Sequence, residues 1–395
     1  MHILEIPSFF PPHGGLFALE QARALQVTGN TVRMLACVQL GVSVDQAFYF
    51  KARSDRWWEN MNGVEVYRSY MRALPRCIRP NQQHWCRIVL QMYDEYKQRY
   101  GRPDVLHAHC CQWAGVAARM IAEKEDIPFF ITEHLPSGIF ESNYGKGWKK
   151  ADWARRLLQT TYEQAHQVIP VSAELVDDLQ PFFGRNYSFT PISNIIDVNF
   201  FAFRPREPKQ GRRFRFCCLA VADFYRKGFD VLAEAIKGMV NVELHIAGKG
   251  TDQKKMRQLF GNASNVIYHG ELGKEGVRDL LYQSDALVLA SRSESQGLVI
   301  MEAVSTGIPV VTTDAIPSNA LTEGACLIAK SGDAESLRQR MEDVMRVDFS
   351  PQWSQTLRQR VSPEVIAQKI LNVFSQASST PLLEEHSQVL GKAVD

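Results

Sequence analysis

The stretch Ser291–Val311, which reads SRSESQGLVIMEAVSTGIPVV, decides the predicted fold of this 395-residue chain. It follows the apolar run 286–290, whose length and branched residues are typical of a buried parallel strand, and it continues with the apolar spacing of a helix. The loop at 291–296 is therefore predicted to leave the carboxyl end of a strand and to open a helix. Ligands of open α/β sheets bind at that edge, and the free N–H groups of a helix start suit a phosphate.

Two glutamates flank this predicted helix start. Glu294 lies in the loop and Glu302 about two turns along the helix, so at ~1.5 Å of rise per residue they are separated by roughly 10 Å. That distance matches a nucleoside diphosphate sugar lying across the helix start, with one carboxylate at the transferred sugar and the other at the ribose hydroxyls. The alternative is an ordinary strand–loop–helix unit with two surface glutamates.

The residues around the two glutamates carry a family resemblance. Between them and directly after them stand Ser295, Gln296, Gly297 and Leu298, and then Gly307-Ile308-Pro309. This pattern resembles the donor-site signature of the family 4 glycosyltransferases, which retain the anomeric configuration and have the GT-B fold. The resemblance implies that residues 295–298 and Glu302 bind the donor nucleotide and that Glu294 takes part in catalysis. It also implies two Rossmann-like α/β/α domains that face each other across a cleft.

The length of the chain and its pattern of elements suggest the domain boundaries. A chain of 395 residues with 45% apolar and 22% charged residues has the size and composition of two globular domains. Residues 1–200 are assigned to an acceptor-side domain and 201–362 to a donor-binding domain. The resemblance implies that a helix at 363–377 packs back on the first domain, and 378–395 is expected to be a loosely ordered tail.

The charge pattern limits the classes of partner. A net charge of +2 gives no reason to expect nucleic acid as a main partner. The chain has no Asp-x-Asp motif, which argues against a metal-held diphosphate, so neither a metal nor another cofactor is expected. Charge neutralisation is then left to Lys227 and to helix N–H groups. The absence of Gly-x-Gly-x-x-Gly disfavours an NAD dehydrogenase.

The cysteines and the N-terminus predict a reducing cytoplasm. Eight cysteines show neither a Cys-x-x-Cys pair nor zinc spacing. The first residues, MHILEI, are too polar and too short for a signal peptide, and no apolar run approaches the ~18 residues that cross a bilayer. We expect a cytoplasmic protein that is either soluble or peripheral at the inner face of the membrane.

A second candidate binding loop follows the first predicted strand, 3–6. It contains Gly14 and Gly15 and precedes a helix that starts near Phe17 and stops near Gly29. Two adjacent glycines let the backbone come close to a diphosphate or a sugar without an intervening Cβ. The loop resembles the Pro-Pro-x-x-Gly-Gly loop of family 4 enzymes, whose glycines face the donor from the opposite domain. A simple turn is the alternative.

Three histidines stand at two predicted strand ends. His107 and His109 alternate onto one face of the strand 104–109, and no third metal ligand is expected near them, so they are not predicted to bind a metal. His134 follows the strand 128–132, where its near-neutral pKa suits it to hydrogen-bond a sugar or to accept a proton. In the resembling family a Thr-x-His here lies beside the donor sugar, so His134 is assigned to catalysis. The alternative is a hydrogen-bonded core histidine.

The second predicted domain begins with the strand 214–221, and a charged loop follows it. Lys227 and Gly228 in that loop place an ammonium group at a helix entry, where a donor diphosphate needs a counter-charge. Lys227 is therefore assigned to catalysis. The resembling family usually has Arg or Asn where this chain has Asp223, and Arg226 could supply that donor contact only if the loop bends differently.

One basic region indicates an acceptor side, and a second indicates a contact with a membrane surface. Residues 41–104 hold more basic than acidic side chains. The segment 144–158 interleaves lysines and arginines with Trp148 and Trp153, which resembles an amphipathic helix lying on anionic lipid. The expected partners are a nucleotide sugar, a glycan or lipid-linked acceptor, and an anionic membrane surface. A solvated basic face is the alternative for both regions.

The residues and the resemblance together imply a retaining glycosyltransferase. It would move a sugar from a UDP- or GDP-sugar to a hydroxyl acceptor, in cell-surface polysaccharide or glycolipid synthesis. Two alternatives stay open. A nucleotide-sugar epimerase of the same fold would convert the donor without an acceptor, and a non-catalytic GT-B paralogue would act as a binding partner.

Overall fold

The protein forms two α/β domains. The structure, a computed structural model, describes residues 1–42, 46–144, 151–205, 211–261 and 263–377. Within these residues each domain is built around one sheet, of seven strands in the first domain and six in the second. The predicted architecture of two α/β domains with parallel sheets is confirmed.

The first domain places β1 at the centre of its sheet. Its strands are β1 (His2–Pro7), β2 (Thr31–Gly41), β3 (Trp57–Met61), β4 (Val64–Ala73), β5 (Val105–His109), β6 (Phe129–Glu133) and β7 (Gln167–Pro170). Its helices are α1 (Leu16–Val27), α2 (Gln46–Lys51), α3 (Ile78–Tyr100), α4 (Val116–Glu125), α5 (Ser137–Tyr144), α6 (Asp152–Gln164) and α7 (Ala173–Phe183). The sheet order is β3-β4-β2-β1-β5-β6-β7, and each neighbouring pair is parallel except β3 with β4.

The second domain has the same alternation of strands and helices. Its strands are β8 (Phe214–Leu219), β9 (Val242–Ala247), β10 (Val266–Gly270), β11 (Ala286–Val288), β12 (Val310–Thr313) and β13 (Cys326–Ala329). Its helices are α8 (Phe229–Ile236), α9 (Lys254–Leu259), α10 (Lys274–Gln283), α11 (Leu298–Ser305), α12 (Ala334–Val344) and α13 (Pro351–Val361). The order is β10-β9-β8-β11-β12-β13, and all neighbouring pairs are parallel.

Helices cover both faces of the sheets, so the central strands are buried on both sides. Successive residues of a strand point to opposite faces. In β1, Ile3 packs in one apolar cluster and Leu4 in another, and Val105 and Leu106 of β5 divide in the same way. Strands with two apolar faces read as continuous apolar runs, which is why the sequence reveals them.

The last helix, α14 (Pro363–Ala377), returns from the second domain to the first. Ile366, Ile370 and Phe374 are buried in the same apolar cluster as Ile3 and Leu25. The chain therefore passes between the domains before β8 and again before α14.

The sequence-based elements differ from the structure mainly at the sheet edges. Strands expected at 104–109 and 214–221 match β5 and β8 to within two residues. The edge strands β3 and β13, both partly exposed along their length, were not predicted. The linker residues 206–210 and the expected tail at 378–395 lie outside the described residues. None of the described helices combines the length and the apolar character that spanning a bilayer requires.

Candidate active site

A cavity of about 810 Å³ lies where the carboxyl ends of the two sheets face each other. The first domain lines it with the loop after β1 and the carboxyl end of β2, and the second with the loops after β8, β9 and β10 together with α10 and α11. Of the predicted site residues, Gly14 and Glu302 belong to its lining. The cavity therefore has the position expected for a ligand site between two such domains.

Lys227 and Glu294 form an ion pair close to the start of α11. Nζ of Lys227 donates to Oε1 of Glu294 at 2.5 Å, and the same oxygen accepts from Oγ of Ser291 at 2.7 Å. Both side chains are largely buried, with 13% and 9% of their area exposed. The sequence assigned the two residues to catalysis from separate motifs, and the structure brings them together.

Gly228 explains how the two loops approach so closely. It precedes α8 with φ of 65°, and a Cβ at this position would lie 1.9 Å from the carbonyl oxygen of Ala290, just after β11. Only glycine permits both that conformation and that contact. The Lys-Gly pair thus combines a charge with the backbone freedom that positions it.

The start of α11 has the geometry predicted for an anion site. Gly297 is its N-cap residue with φ of 85°, and none of the described side chains caps this end. The N–H groups of Leu298 and Val299 have no acceptor in a preceding turn and suit a negatively charged group, whereas the N–H of Ile300 donates to the carbonyl oxygen of Gly297 at 3.0 Å.

Gln296 and Ser295 connect the two domains. Oε1 of Gln296 accepts from the backbone N–H of Asn194 at 3.1 Å and from its Nδ2 at 2.9 Å, and Nε2 of Gln296 donates to Oγ of Ser193. The carbonyl oxygen of Ser295 accepts from Oγ of Ser172 at 2.9 Å. Both amide atoms of Gln296 are thus used in a domain contact, while the donor-binding role assigned to residues 295–298 stays a prediction.

Glu302 lies in the second turn of α11, beside a charged contact between the domains. Burial, and after it the charge of Glu20, raise the pKa of the Glu302 carboxyl to about 7, against a smaller effect of Lys274. Nζ of Lys274 donates to Oε1 of Glu20 at 3.0 Å and lies 3.5 Å from Oδ2 of Asp197. The protonation state of Glu302 therefore depends on which charges surround the cavity.

Gly14 and Gly15 differ in what surrounds each of them. Their φ angles are 94° and 82°. A Cβ at Gly15 would come within 2.2 Å of the carbonyl oxygen of Phe9, so the loop itself requires glycine there. A Cβ at Gly14 would meet only Cδ2 of Phe9, at 3.9 Å. The open space beside Gly14 belongs to the cavity, whereas Gly15 is fixed by packing within the loop.

The expectation that no third ligand lies near His107 and His109 is wrong. Oε2 of Glu5 lies 2.9 Å from Nδ1 of His107 and 2.8 Å from Nε2 of His109, and all three side chains are buried. Together they form a group of the size that can hold a metal ion. Glu5 lies in β1 and the histidines in the adjacent strand β5, so the contact spans 102 residues of sequence and local spacing could not reveal it.

His134 follows β6 and has 7% of its area exposed. Its Nε2 lies 3.4 Å from Nδ1 of His109, and the ring of Phe17 packs over it with centroids 3.8 Å apart. Burial, and then the charges of His109 and His107, hold the pKa of His134 well below its usual range. The imidazole is therefore neutral, which suits a hydrogen bond to an uncharged group.

Glu133 is fully engaged inside the first domain. Its Oε1 accepts from the backbone N–H groups of His134 and Leu135, both at 2.9 Å. Its Oε2 accepts from the N–H of Cys111 at 2.9 Å and the hydroxyl of Tyr162 at 2.6 Å. Although these bonds oppose it, burial raises the pKa of the Glu133 carboxyl.

Arg226 is paired with Asp223, the residue that departs from the family pattern. Nε of Arg226 donates to Oδ2 of Asp223 at 2.8 Å, and its backbone N–H donates to Oδ1 at 3.2 Å. Although burial opposes it, Arg226 lowers the pKa of the Asp223 carboxyl. The two charges offset each other in this state, and the donor contact assigned to Arg226 stays a prediction.

Sequence reasoning missed Lys249, which lines the cavity after β9. A Cβ at the preceding Gly248 would lie 2.0 Å from the carbonyl oxygen of Ala220, so glycine is required there. The triplet Gly248-Lys249-Gly250 at a strand end was the available signal, because it repeats the pattern of a cation next to glycine seen at Lys227.

A second pocket of about 350 Å³ lies in the first domain beside the cavity. It shares Gln39 with the cavity, and its lining includes the amides of Gln112 and Asn143 and the ring of Trp113. Amide groups and an aromatic ring offer hydrogen bonds and stacking to an uncharged ligand. The sequence placed the acceptor side in this domain without identifying this pocket.

The predicted membrane segment is only partly described. Residues 145–150, with Lys146, Trp148, Lys149 and Lys150, lie outside the described residues. Arg155 and Arg156 each pair with Asp152 at 2.9 Å. Trp153 packs against the apolar core of the first domain.

Two family models match the chain, one in each domain. The model described as "Glycosyl transferase 4-like domain" matches residues 14–194, and the model described as "Glycosyl transferases group 1" matches residues 214–346. The break between the two matches falls between the last strand of the first sheet and the first strand of the second.

Two relatives carry related names. TuaC of Bacillus subtilis (strain 168), named for teichuronic acid biosynthesis as a glycosyltransferase, is 29% identical over 331 residues, which cover 80% of this chain and 81% of that protein. Glycogen synthase of Mycobacterium tuberculosis is 29% identical over 232 residues, which cover 55% of this chain and 53% of that protein. The match thus spans about half the length of the glycogen synthase.

Solved structures share the fold. Sucrose-phosphate synthase from Thermosynechococcus elongatus matches with a TM-score of 0.75 at 16% identity, over 96% of this chain and 100% of that chain. Anabaena HepE in complex with UDP-glucose matches with a TM-score of 0.69 at 16% identity, over 95% and 100%. The predicted GT-B fold and the predicted enzyme class are confirmed, and the chain belongs to the glycosyltransferases of the GT-B fold.

Proposed function

We propose that this enzyme transfers a sugar from a UDP- or GDP-sugar to a hydroxyl group of a glycan or lipid-linked acceptor, with retention of the anomeric configuration. We place the reaction in the synthesis of a cell-surface polysaccharide or glycolipid, at the cytoplasmic face of the membrane. The name of TuaC, from teichuronic acid biosynthesis, and the UDP-glucose complex of HepE support this assignment. The observation that carries it is the Lys227–Glu294 pair at the start of α11, with Glu302 further along the same helix.

The donor diphosphate is expected at the start of α11. Lys227 has three N–H donors, of which one bonds to Glu294, so the ammonium can also face a phosphate. The N–H groups of the first turn, after Gly297, add the positive end of the helix. Both features stabilise the negative charge that develops on the leaving phosphate. Glu302, further along α11, is expected to accept hydrogen bonds from the ribose hydroxyls.

The acceptor is proposed to attack on the face that the diphosphate leaves. A double displacement needs a free nucleophile on the opposite face. Glu133 accepts four hydrogen bonds, and Oε1 of Glu294 is held by Lys227 and Ser291, which supports the direct route. In that route the bond from the anomeric carbon to the phosphate oxygen breaks while the acceptor oxygen bonds to that carbon. The departing phosphate takes the acceptor proton.

The acceptor is proposed to bind in the second pocket of the first domain. That pocket adjoins the donor cavity through Gln39, and Gln112 and Trp113 offer groups that suit a saccharide ring. The sugar to be transferred would then lie between the two pockets, near His134. His134→Ala is expected to lower kcat because the sugar is positioned less well.

A panel of nucleotide sugars tested by thermal stabilisation would identify the donor, because a ligand at 100 times its Kd adds about 2.7 kcal/mol. The donor found in this way is then incubated with candidate acceptors, and the anomeric configuration of the product is read by NMR. Conversion or hydrolysis of the donor without an acceptor would favour the epimerase alternative. Inversion, or a sugar adduct on Glu294 in the intact mass, would overturn the direct mechanism.

A further inference from the structure

Three buried polar side chains form a hydrogen-bonded row that ends at His134. Glu5 of β1 accepts from Nε2 of His109 in β5 at 2.8 Å, and Nδ1 of His109 lies 3.4 Å from Nε2 of His134 after β6. We call these three residues the histidine row. His107 contacts the same carboxylate through Nδ1 at 2.9 Å, but its Nε2 bonds to Oγ1 of Thr132 at 2.7 Å, away from His134.

The direction of each hydrogen bond follows from the carboxylate. Burial alone would raise the pKa of Glu5, but the charge and hydrogen bond of His107 and the hydrogen bond of His109 bring it to about 2. An ionised carboxylate only accepts hydrogen bonds, so Nε2 of His109 must carry the proton. Burial lowers the pKa of His109 despite the hydrogen bond to Glu5, so its ring is neutral and its Nδ1 has a free lone pair.

The lone pair on Nδ1 of His109 determines which nitrogen of His134 carries the proton. If Nε2 of His134 lacked a proton, two lone pairs would face each other at 3.4 Å. We propose that Glu5 and His109 are positioning residues that hold His134 in its Nε2–H form, so that its Nδ1 is a hydrogen-bond acceptor for a hydroxyl group of the transferred sugar. This inference rests on the proposed function for its ligand, although the tautomer itself does not.

The far end of the row supports a ligand contact. Nδ1 of His134 is buried and has no hydrogen-bond partner among the described residues, although buried polar atoms are rarely left unpaired. Phe17 packs over the ring, in the first turn of α1, directly after the Gly14–Gly15 loop. Because Nδ1 is buried, a sugar hydroxyl can reach it only if neighbouring groups move, and the hydrogen bond that it gains would offset part of that cost.

The fixed tautomer also predicts a preference among donor sugars. A bare imidazole nitrogen attracts a hydroxyl hydrogen but repels a carboxylate oxygen, and a buried neutral ring cannot balance the charge of a carboxylate. At the position that faces His134 we therefore expect a hydroxymethyl or ring hydroxyl group. A uronic acid sugar whose carboxylate takes that position is expected to bind less tightly than its hydroxyl counterpart.

The tautomer can be measured directly on the whole protein without any ligand. In long-range 1H–15N NMR spectra of 15N-histidine-labelled protein, with His134 assigned through His134→Gln, the neutral ring is expected to show a protonated Nε2 and a bare Nδ1. A protonated Nδ1 on His134 would overturn the proposal whether or not the enzyme uses a nucleotide sugar. A stoichiometric, tightly held metal in the purified protein would also overturn it, because a nitrogen that binds a metal carries no proton.

Substitution separates positioning from a merely structural role. In Glu5→Gln the new amide can donate as well as accept, so His109 is no longer forced into one tautomer and His134 is expected to become a mixture. Thr132→Val is the matched control, because it removes the buried hydroxyl that bonds to Nε2 of His107 and leaves the side chains of Glu5, His109 and His134 in place. It is expected to keep the Nε2–H form. If the two variants gave the same spectra, Glu5 would not control the tautomer of His134, and the histidine row would have only a structural role.

Kinetics connect the tautomer to the reaction. Glu5→Gln is expected to lower kcat about tenfold, the loss of about one hydrogen bond, with little change in KM for the donor. Adding His134→Ala to Glu5→Gln should give no further loss beyond His134→Ala alone, because both act through one nitrogen. Additive losses would overturn the coupling, while a protein with the expected tautomer but no transferase activity would contradict only the proposed function.

Discussion

The two domains contribute to the site in opposite ways. In the second domain charged groups meet, since Lys227 and Glu294 pair at 2.5 Å close to the start of α11, an end that no described side chain caps. In the first domain the histidine row joins one carboxylate to two neutral rings, and it ends at an uncharged nitrogen. The second domain therefore suits the diphosphate and the first suits the sugar.

The same contrast decides what the sequence could reveal. Lys227 and Glu294 each belong to a short motif with a glycine that the local backbone requires, so they could be identified from a few neighbouring residues. The histidine row exists only because β1, β5 and β6 are neighbours in the sheet. The motifs that identify Lys227 and Glu294 are therefore local in the sequence, whereas the contacts of the histidine row depend on which strands are neighbours in the sheet.

The largest effect is expected for Lys227→Ala. Removing a charged donor from a leaving group costs about 10²–10³-fold in kcat, by analogy with the loss of an oxyanion donor. The matched control is Lys254→Ala, which removes the same charge from an exposed position on α9. Steady-state kinetics with the identified donor measure both. If kcat is unchanged in Lys227→Ala, Lys227 does not stabilise the leaving group. The proposed difference between the two domains would then lose its main support.

Glu302→Ala is expected to weaken nucleotide binding. Loss of a charge-assisted hydrogen bond to the ribose costs about 1.5–3 kcal/mol, while Glu294→Ala should act mainly on turnover. Calorimetric titration with the free nucleoside diphosphate measures the first effect, and the exposed Glu323→Ala serves as the charge-matched control. If the nucleotide binds Glu302→Ala as tightly as wild type, the ribose assignment is wrong.

Gln296→Ala is expected to lower stability more than donor affinity. Its side chain satisfies two N–H groups of Asn194 and the hydroxyl of Ser193, and leaving buried donors unpaired costs about 1–3 kcal/mol. Urea unfolding gives the stability change, and a double-mutant cycle with Ser193→Ala isolates the contact across the domains. A large loss of nucleotide affinity with unchanged stability would instead show that the Gln296 side chain binds the donor.

The fold could be predicted where both faces of a strand are buried. The apolar run 286–290, which contains β11, is short, free of polar residues and buried throughout, so this strand was visible in the sequence. At the edge of the first sheet, β3 reads WWENM and runs antiparallel to β4, and a polar edge strand has no such pattern. Its aromatic residues pack on β4 and α3, a tertiary contact that local spacing does not contain.

The site could be predicted only in part, for a related physical reason. Lys227 was found because a charge next to glycine at a strand end is a local signal, and Glu294 because its spacing to Glu302 belongs to a short motif. Glu5 was read only as part of a strand, because a single acidic residue in an apolar run gives no indication of its partners. Gln296 was assigned to the donor from its neighbours in the motif, while its amide contacts a segment about a hundred residues earlier.

The pH dependence of nucleoside binding tests the electrostatics around Glu302. The pKa of the Glu302 carboxyl is about 7 in the folded protein, above its value in the unfolded chain. Ionising this carboxyl therefore lowers the stability of the fold, and the loss begins above the unfolded pKa and grows as the pH rises to about 7. An ionised carboxylate accepts ribose hydroxyls best, so affinity is expected to fall as pH drops below about 7, by up to tenfold per pH unit. A nucleoside is used as the ligand because it has no phosphate group that would itself titrate in this pH range.

The control for this pH profile is Glu302→Gln, which cannot ionise and should bind with an affinity that is flat over the same range. Glu20 and Lys274 face Glu302 from the two domains, so Lys274→Met is expected to move the midpoint upward by removing a positive charge. A wild-type profile as flat as that of Glu302→Gln would show that Glu302 does not contact the ribose.

The smallest effect per residue is expected at the membrane surface, where the two domains should again differ. Each basic residue near an anionic surface contributes ~1 kcal/mol. Arg155 and Arg156 already pair with Asp152, and Trp153 packs on the core, so their contribution should be reduced. The binding energy is therefore expected to come mainly from three lysines, which are Lys146, Lys149 and Lys150.

Replacing these three lysines by alanine should reduce co-sedimentation with anionic vesicles at low salt, and added salt should weaken the wild-type binding as well. A matched triple substitution in the second domain, at exposed lysines, changes the net charge equally and should leave binding intact. Suitable positions are Lys237, Lys254 and Lys330. If both triple variants lose binding alike, the attraction reflects net charge rather than a docking segment. If the wild-type protein binds anionic vesicles no better than neutral ones, the segment has no membrane role. Its basic residues would then form an ordinary solvated surface.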